Sequence, residues 1–182
     1  MDPFYIGIIG AVILVLGAAW PVKPKIHPAK TVKSWLFASG GVFMFAYALL
    51  GYLAGGPIFF VILQALVQIS SLLMLFNTPD KIDIPVIGIS GVALIIWALT
   101  LFEDYTTLIF IFGLLGIALG YALGPATKRG NIALTTGSLL IAVFSYLVAD
   151  WIFFWLNTFF AIFSGYYAIK LTAIPPKTRP SH

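Results

Sequence analysis

Seven apolar runs divide this chain, and all ten of its Lys and Arg residues fall in alternate loops between them. Lys23, Lys25, Lys30 and Lys33 follow the first run, Lys81 the third, and Lys128 and Arg129 the fifth. Lys170, Lys177 and Arg179 follow the seventh. Asp2, Glu103, Asp104 and Asp150 occupy the other set of ends, which holds no basic residue. Basic side chains resist translocation, so in a bilayer the basic ends are cytoplasmic. The pattern predicts an N-terminus outside and a C-terminus inside, which an odd number of spans requires.

With 61% hydrophobic and only 9% charged residues, and a mean hydropathy of +1.05, the chain cannot cover a water-facing surface. A soluble domain carries roughly 25% charged residues. The net charge of +4 comes from the loops of the positive-inside pattern, so it gives no reason to expect nucleic acid. Having no cysteine, the chain can form neither disulfides nor thiolate metal sites. Met1-Asp2-Pro3 lacks the basic start of a secretory signal, so the first run reads as a retained span. A span needs roughly 17–25 residues, which predicts helices near Phe4–Trp20, Ser34–Leu53, Pro57–Phe76, Ile84–Phe102, Thr107–Leu123, Ile132–Ala149 and Trp151–Ile169. Gly55-Gly56-Pro57, Asn77-Thr78-Pro79-Asp80 and Gly124-Pro125 supply turn chemistry between them, and a tight turn is expected at Asp150.

The runs repeat. Gly10, Leu16, Gly17 and Ala19 of the first recur as Gly113, Leu119, Gly120 and Ala122 of the fifth, and each run leads to a proline, Pro21 or Pro125. Ser39-Gly40-Gly41 of the second run is echoed by Thr135-Thr136-Gly137 of the sixth. The expected fold class is an all-α membrane protein of seven transmembrane helices, in a 3+1+3 parallel repeat. Residues 1–76 form the first three-helix repeat, 77–106 the linker helix with its loops, 107–170 the second repeat and 171–182 a cytoplasmic tail.

Three stretches resemble the PQ-loop superfamily, which includes the SWEET-like sugar facilitators. Lys30-Thr31-Val32-Lys33-Ser34 looks like the family's loop entering its second helix. The stretch from Asp150 to Asn157 looks like the segment leading to its substrate-facing Asn. Gly56-Pro57-Ile58 with Gln64 looks like the same segment in the first unit. The chain departs from the family in lacking the Pro-Gln pair and in carrying Gln64 in place of the first-unit Asn. The resemblance implies a carrier that moves a small solute between two three-helix units.

Intramembrane polar residues are costly when unpaired, so they are the candidate solute-binding groups. Gln64, Gln68 and Ser71 share one face of the third helix, and Asn157 and Ser164 one face of the seventh. Gln64 and Asn157 lie at about equal depth if the polar residues set the register between these helices. Matching Ile58-Phe59-Phe60 to Ile152-Phe153-Phe154 instead shifts it by one residue, about 100° of helix; the polar register is adopted. Tyr47 is a further candidate, and Pro21 and Pro125 are candidate hinges.

No acidic, basic or His side chain lies deep in a span, which favours facilitated diffusion over proton coupling. No catalytic, metal or phosphate-binding motif is present, so neither an enzyme nor a cofactor is expected. The expected function is facilitated movement of a small, polar, uncharged, sugar-like solute by alternating access. A non-transporting membrane subunit and a narrow channel for a small neutral solute are the alternatives. The expected partners are the lipid bilayer and that solute, with a homo-oligomer left open. The expected location is multi-pass in a prokaryotic cytoplasmic membrane.

Overall fold

The computed structural model describes residues 2–20, 31–124 and 127–173, and within them it is all-helical. Seven helices follow in order: α1 Pro3–Ala19, α2 Val32–Leu53, α3 Phe59–Phe76, α4 Asp80–Thr100, α5 Tyr105–Ala122, α6 Lys128–Leu147 and α7 Trp151–Ala173. Six of them, α2 to α7, are long and apolar enough to cross a membrane, which makes this a multi-pass membrane protein. The remaining helix, α1, is apolar and has 17 residues.

Several helices begin before their apolar runs do, because polar caps sit at the ends. Thr31 accepts from Ser34 N at the start of α2, and Thr127 accepts from Gly130 N at the start of α6. Asp104 accepts from Thr106 N and Thr107 N ahead of α5. Helix α4 starts at Asp80 rather than Ile84, and α6 starts at Lys128 rather than Ile132, each four residues before the hydropathy boundary. In α4, Asp80 and Asp83 complement the positive end of the helix dipole, and Thr78 Oγ1 donates to Asp83. Pro85 is then tolerated in the second turn, where its missing N–H frees one carbonyl.

The turn at Asp150 follows from backbone accounting. Asp150 N bonds Ser145 O and Ala149 N bonds Tyr146 O, which closes α6 as a Schellman motif. Ala149 occupies the left-handed position with φ 59°. The carboxylate of Asp150 then accepts from Phe153 N and caps α7. One residue therefore ends one helix and starts the next.

Neighbouring helices pack as a ring: α1 on α2, α2 on α3, α3 on α5, α5 on α6, α6 on α7, and α7 back on α1. Helix α4 lies outside this ring against α3 and α5. Its outward face is apolar and bare, with Ile89 71% exposed, as lipid contact demands. Glycines set the closest approaches. A Cβ at Gly10 on α1 would lie 2.9 Å from Met44 N on α2, and one at Gly113 on α5 would lie 3.1 Å from Ile141 N on α6. Small residues at such points allow backbone contact between membrane helices, where no hydrophobic force drives association.

Candidate functional site

The ring interior has two zones. Toward the end that carries Asp2, Glu103, Asp104 and Asp150, here the acidic end, it is filled with aromatic rings. Phe60 of α3 and Phe153 of α7 stack at 4.2 Å with planes 3° apart. Tyr47 lies 5.7 Å from Phe153, and Phe144 lies 5.6 Å from Phe60. Phe110 continues the train, 5.2 Å from Phe144 and 4.9 Å from Phe59. Each such pair adds about 0.5–1.5 kcal/mol beyond the area it buries. The Tyr47 hydroxyl donates to Asp150 Oδ2 at 3.1 Å, which ties α2 to the capped start of α7. Burial pushes the Asp150 carboxyl up from its ordinary range. The Phe153 N–H, the Tyr47 hydroxyl and the Ile152 N–H act against that shift.

One turn further along α3 and α7, the filling stops. A cavity of about 30 Å³ opens between α1, α3, α5, α6 and α7, room for on the order of one water. Gln64 and Asn157 both line it, each one helical turn beyond a member of the stacked Phe60–Phe153 pair. Gln64 is 2% exposed, and its Oε1 is buried with no hydrogen-bond partner. Asn157 commits one amide proton to Phe153 O at 2.9 Å. Ser138 of α6 and Tyr121 of α5 complete the polar lining. Leu14, Leu63 and Val67 form much of the apolar remainder.

At the basic end, Lys33 of α2 reaches α7 and the end of α1. Its ammonium lies 5.8 Å over the rings of both Phe37 and Tyr167, and it donates to Trp20 O at 3.4 Å. Phe37 meets Phe160 of the cavity wall at 5.9 Å. Rings and side-chain ties thus lie on both sides of the cavity.

The candidates from sequence separate here. Gln64 and Asn157 come together on one cavity. Gln68 turns instead toward α2, where its Oε1 occupies the space a Cβ at Gly41 would take, without a hydrogen-bond partner. Tyr47 belongs to the aromatic train and the Asp150 bond, outside the cavity lining. Ser164 is buried but does not line the cavity. Ser71 is satisfied within its own helix by Val67 O. Pro21 and Pro125 lie outside the described residues. In register, Phe60 stacks on Phe153 rather than Phe154. Sequence reasoning passed over Ser138 and Tyr121. The available signal was Ser138 beside Gly137, whose Cβ would meet Ile117 N at 2.6 Å.

Among the described residues no group of three or more His, Cys, Asp or Glu could hold a metal ion. No protein-family model, curated protein or solved structure matches this chain.

Proposed function

We propose that this protein is a facilitator that carries a small, polar, uncharged solute across the membrane by alternating access. In this reading α1 is a seventh span, and the two three-helix units α1–α3 and α5–α7 are parallel repeats joined by α4. The acidic end faces outward and the basic end the cytoplasm, as the positive-inside pattern favours. The observation that carries the reading is the cavity lined by Gln64 and Asn157, with Gln64 Oε1 buried and unpartnered beside it. An unsatisfied buried carboxamide costs stability, and such groups persist where a ligand completes them. The absence of any charged lining residue fits a neutral solute and facilitated diffusion.

Alternating access needs a closure on each side of the site. The aromatic train with the Tyr47–Asp150 bond supplies one at the acidic end. Lys33 with Phe37 and Tyr167 supplies the other. Membership of the PQ-loop superfamily rests on the resemblance of Asp150–Asn157 and its first-unit counterpart, and belongs to this proposal. The small cavity between sealed ends also favours a second reading, a non-transporting membrane subunit with a packed axis.

Solute counterflow in liposomes, run over a panel of sugars, amino acids and vitamins, separates these readings. A carrier gives saturable uptake stimulated by solute on the far side, lost in Gln64→Leu. A channel gives uptake that does not saturate. No protein-dependent flux for any solute leaves the subunit reading in place of transport.

A further inference from the structure

The chemistry of the cavity is lopsided, and this narrows the solute. The narrowing rests on the solute-carrying reading above. Helices α5 to α7 contribute three polar residues, Tyr121, Ser138 and Asn157, among seven in the lining, whereas α1 and α3 contribute Leu14, Leu63 and Val67 with the single polar Gln64. The hydroxyls of Tyr121 and Ser138 make no hydrogen bond among the described residues, and Gln64 Oε1, closed off from solvent behind the lining, has no partner either.

The asymmetry can be followed position by position. Gly17 packs on Phe37 and Gly120 on Leu134, so the residue after each glycine holds a matching place: Ala18 in the first unit, Tyr121 in the second. Likewise Gly40 packs on Leu14 and Gly137 on Ile117, and the residues that follow are Gly41 and Ser138. At both places the second unit carries a hydroxyl and the first unit carries none.

We infer that the site, once it opens beyond the one-water volume it has here, takes a small uncharged amphiphile: an aliphatic body against Leu14, Leu63 and Val67, with one hydrogen-bonding end, of carboxamide type, against Gln64, Asn157 and Ser138. A carboxamide both donates and accepts, so it can complete Gln64 Oε1 and a hydroxyl together. A polyol fits badly. Its hydroxyls point to all sides, and those facing the leucines would give up water without gaining a partner.

The test uses the absence of cysteine from the natural chain. Ser138→Cys, close in size to the native residue, places a single thiol on the cavity wall. Its alkylation by N-ethylmaleimide is followed in membranes with isobutyramide or with erythritol present. Modification slowed by isobutyramide, roughly tenfold near ten times its Kd, and unaffected by erythritol is the expected result. Gln64→Leu in the same background should remove the protection. A thiol that reacts but is protected by erythritol, or by neither probe, overturns the amphiphile assignment while leaving an axis that opens. A thiol that never reacts, in Ser138→Cys and equally in Leu134→Cys on the same wall, overturns both this assignment and alternating access.

Discussion

Helices α3 and α7 do opposite things within one turn of their length. At Phe60 and Phe153 they meet face to face, rings stacked, with no space between. At Gln64 and Asn157 the space between them is not filled: both residues line a cavity, and a buried carboxamide oxygen is left unpaired. The first region is what packing alone would select, since aromatic surface is buried and rings stack on one another or meet edge to face. The second is poorly optimised for stability, with a polar group dehydrated and empty volume beside it. That contrast, between helices that can pack and helices that do not, is the physical argument for a site.

The sharpest way to break the contrast is to unpack the filled half. Phe153→Ala removes a fully buried ring and should destabilise the protein by about 3–5 kcal/mol, as large-to-small core changes do. Unfolding of the purified protein in a denaturing detergent series would measure it. Phe60→Ala should couple to it, because the two rings are direct partners. Additive losses from the two changes would mean that the stack is incidental to the closure.

The cavity half should respond in the other direction. Gln64→Leu replaces an unsatisfied carboxamide by an apolar group of similar bulk. It should leave stability unchanged or raise it by about 1 kcal/mol, while abolishing solute-dependent stabilisation in thermal unfolding. That trade of stability against function is what a binding group implies. A loss above about 1 kcal/mol would instead make Gln64 part of the packing and remove the main observation behind the site.

Much of this was legible in the sequence, and the limits are physical. Helix number and the opposition of acidic and basic ends follow from hydropathy and charge, which act locally. Gln64 and Asn157 stood out because polar residues in apolar runs are few. Tyr47 is a candidate through the family resemblance, as the residue nearest the place of a second-helix aromatic, but its partner Asp150 lies 103 residues away. Only the tertiary fold shows that this hydroxyl closes an end and does not line the cavity. Ser138 and Tyr121 sit in runs that look like ordinary helix faces. The closeness of α5 and α6, set by Gly113, Gly116 and Gly137, turns them inward. The early start of α4 was hidden because Asp80 and Asp83 read as loop until the helix dipole is considered.

The Tyr47–Asp150 bond offers a smaller test, confined to the filled half. Tyr47→Phe removes one hydrogen bond and should cost about 1 kcal/mol. Burial holds the Asp150 carboxyl above its ordinary range, with the Phe153 N–H and the Tyr47 hydroxyl pulling it back. A carboxyl raised in the folded state favours folding most below its unfolded value of about 3.9. That contribution is lost as pH climbs through the raised value, so stability should fall with rising pH across this window. Tyr47→Phe removes a partner of the charged form and should extend the fall to higher pH. Asp150→Asn should flatten it. Thermal unfolding against pH reads all three, and a flat profile in the unaltered protein would show Asp150 to be solvated like any surface carboxylate.

The smallest effect lies in the turn that delivers Asp150 to Tyr47. Ala149 adopts φ 59° to close α6, a conformation that puts its Cβ against the backbone. Gly would adopt it without that clash but would lose more freedom on folding. The two effects oppose, and the steric one is larger at a left-handed helix end. Ala149→Gly should therefore stabilise by about 0.5 kcal/mol. The gain should appear alike in Tyr47→Phe, because relief of backbone strain at the α6 end does not depend on the bond to α2. A gain present only when Tyr47 is intact would mean something different. The turn would then be strained in order to hold Asp150 under the tyrosine, and the closure, not the helix end, would be what sets Ala149's conformation.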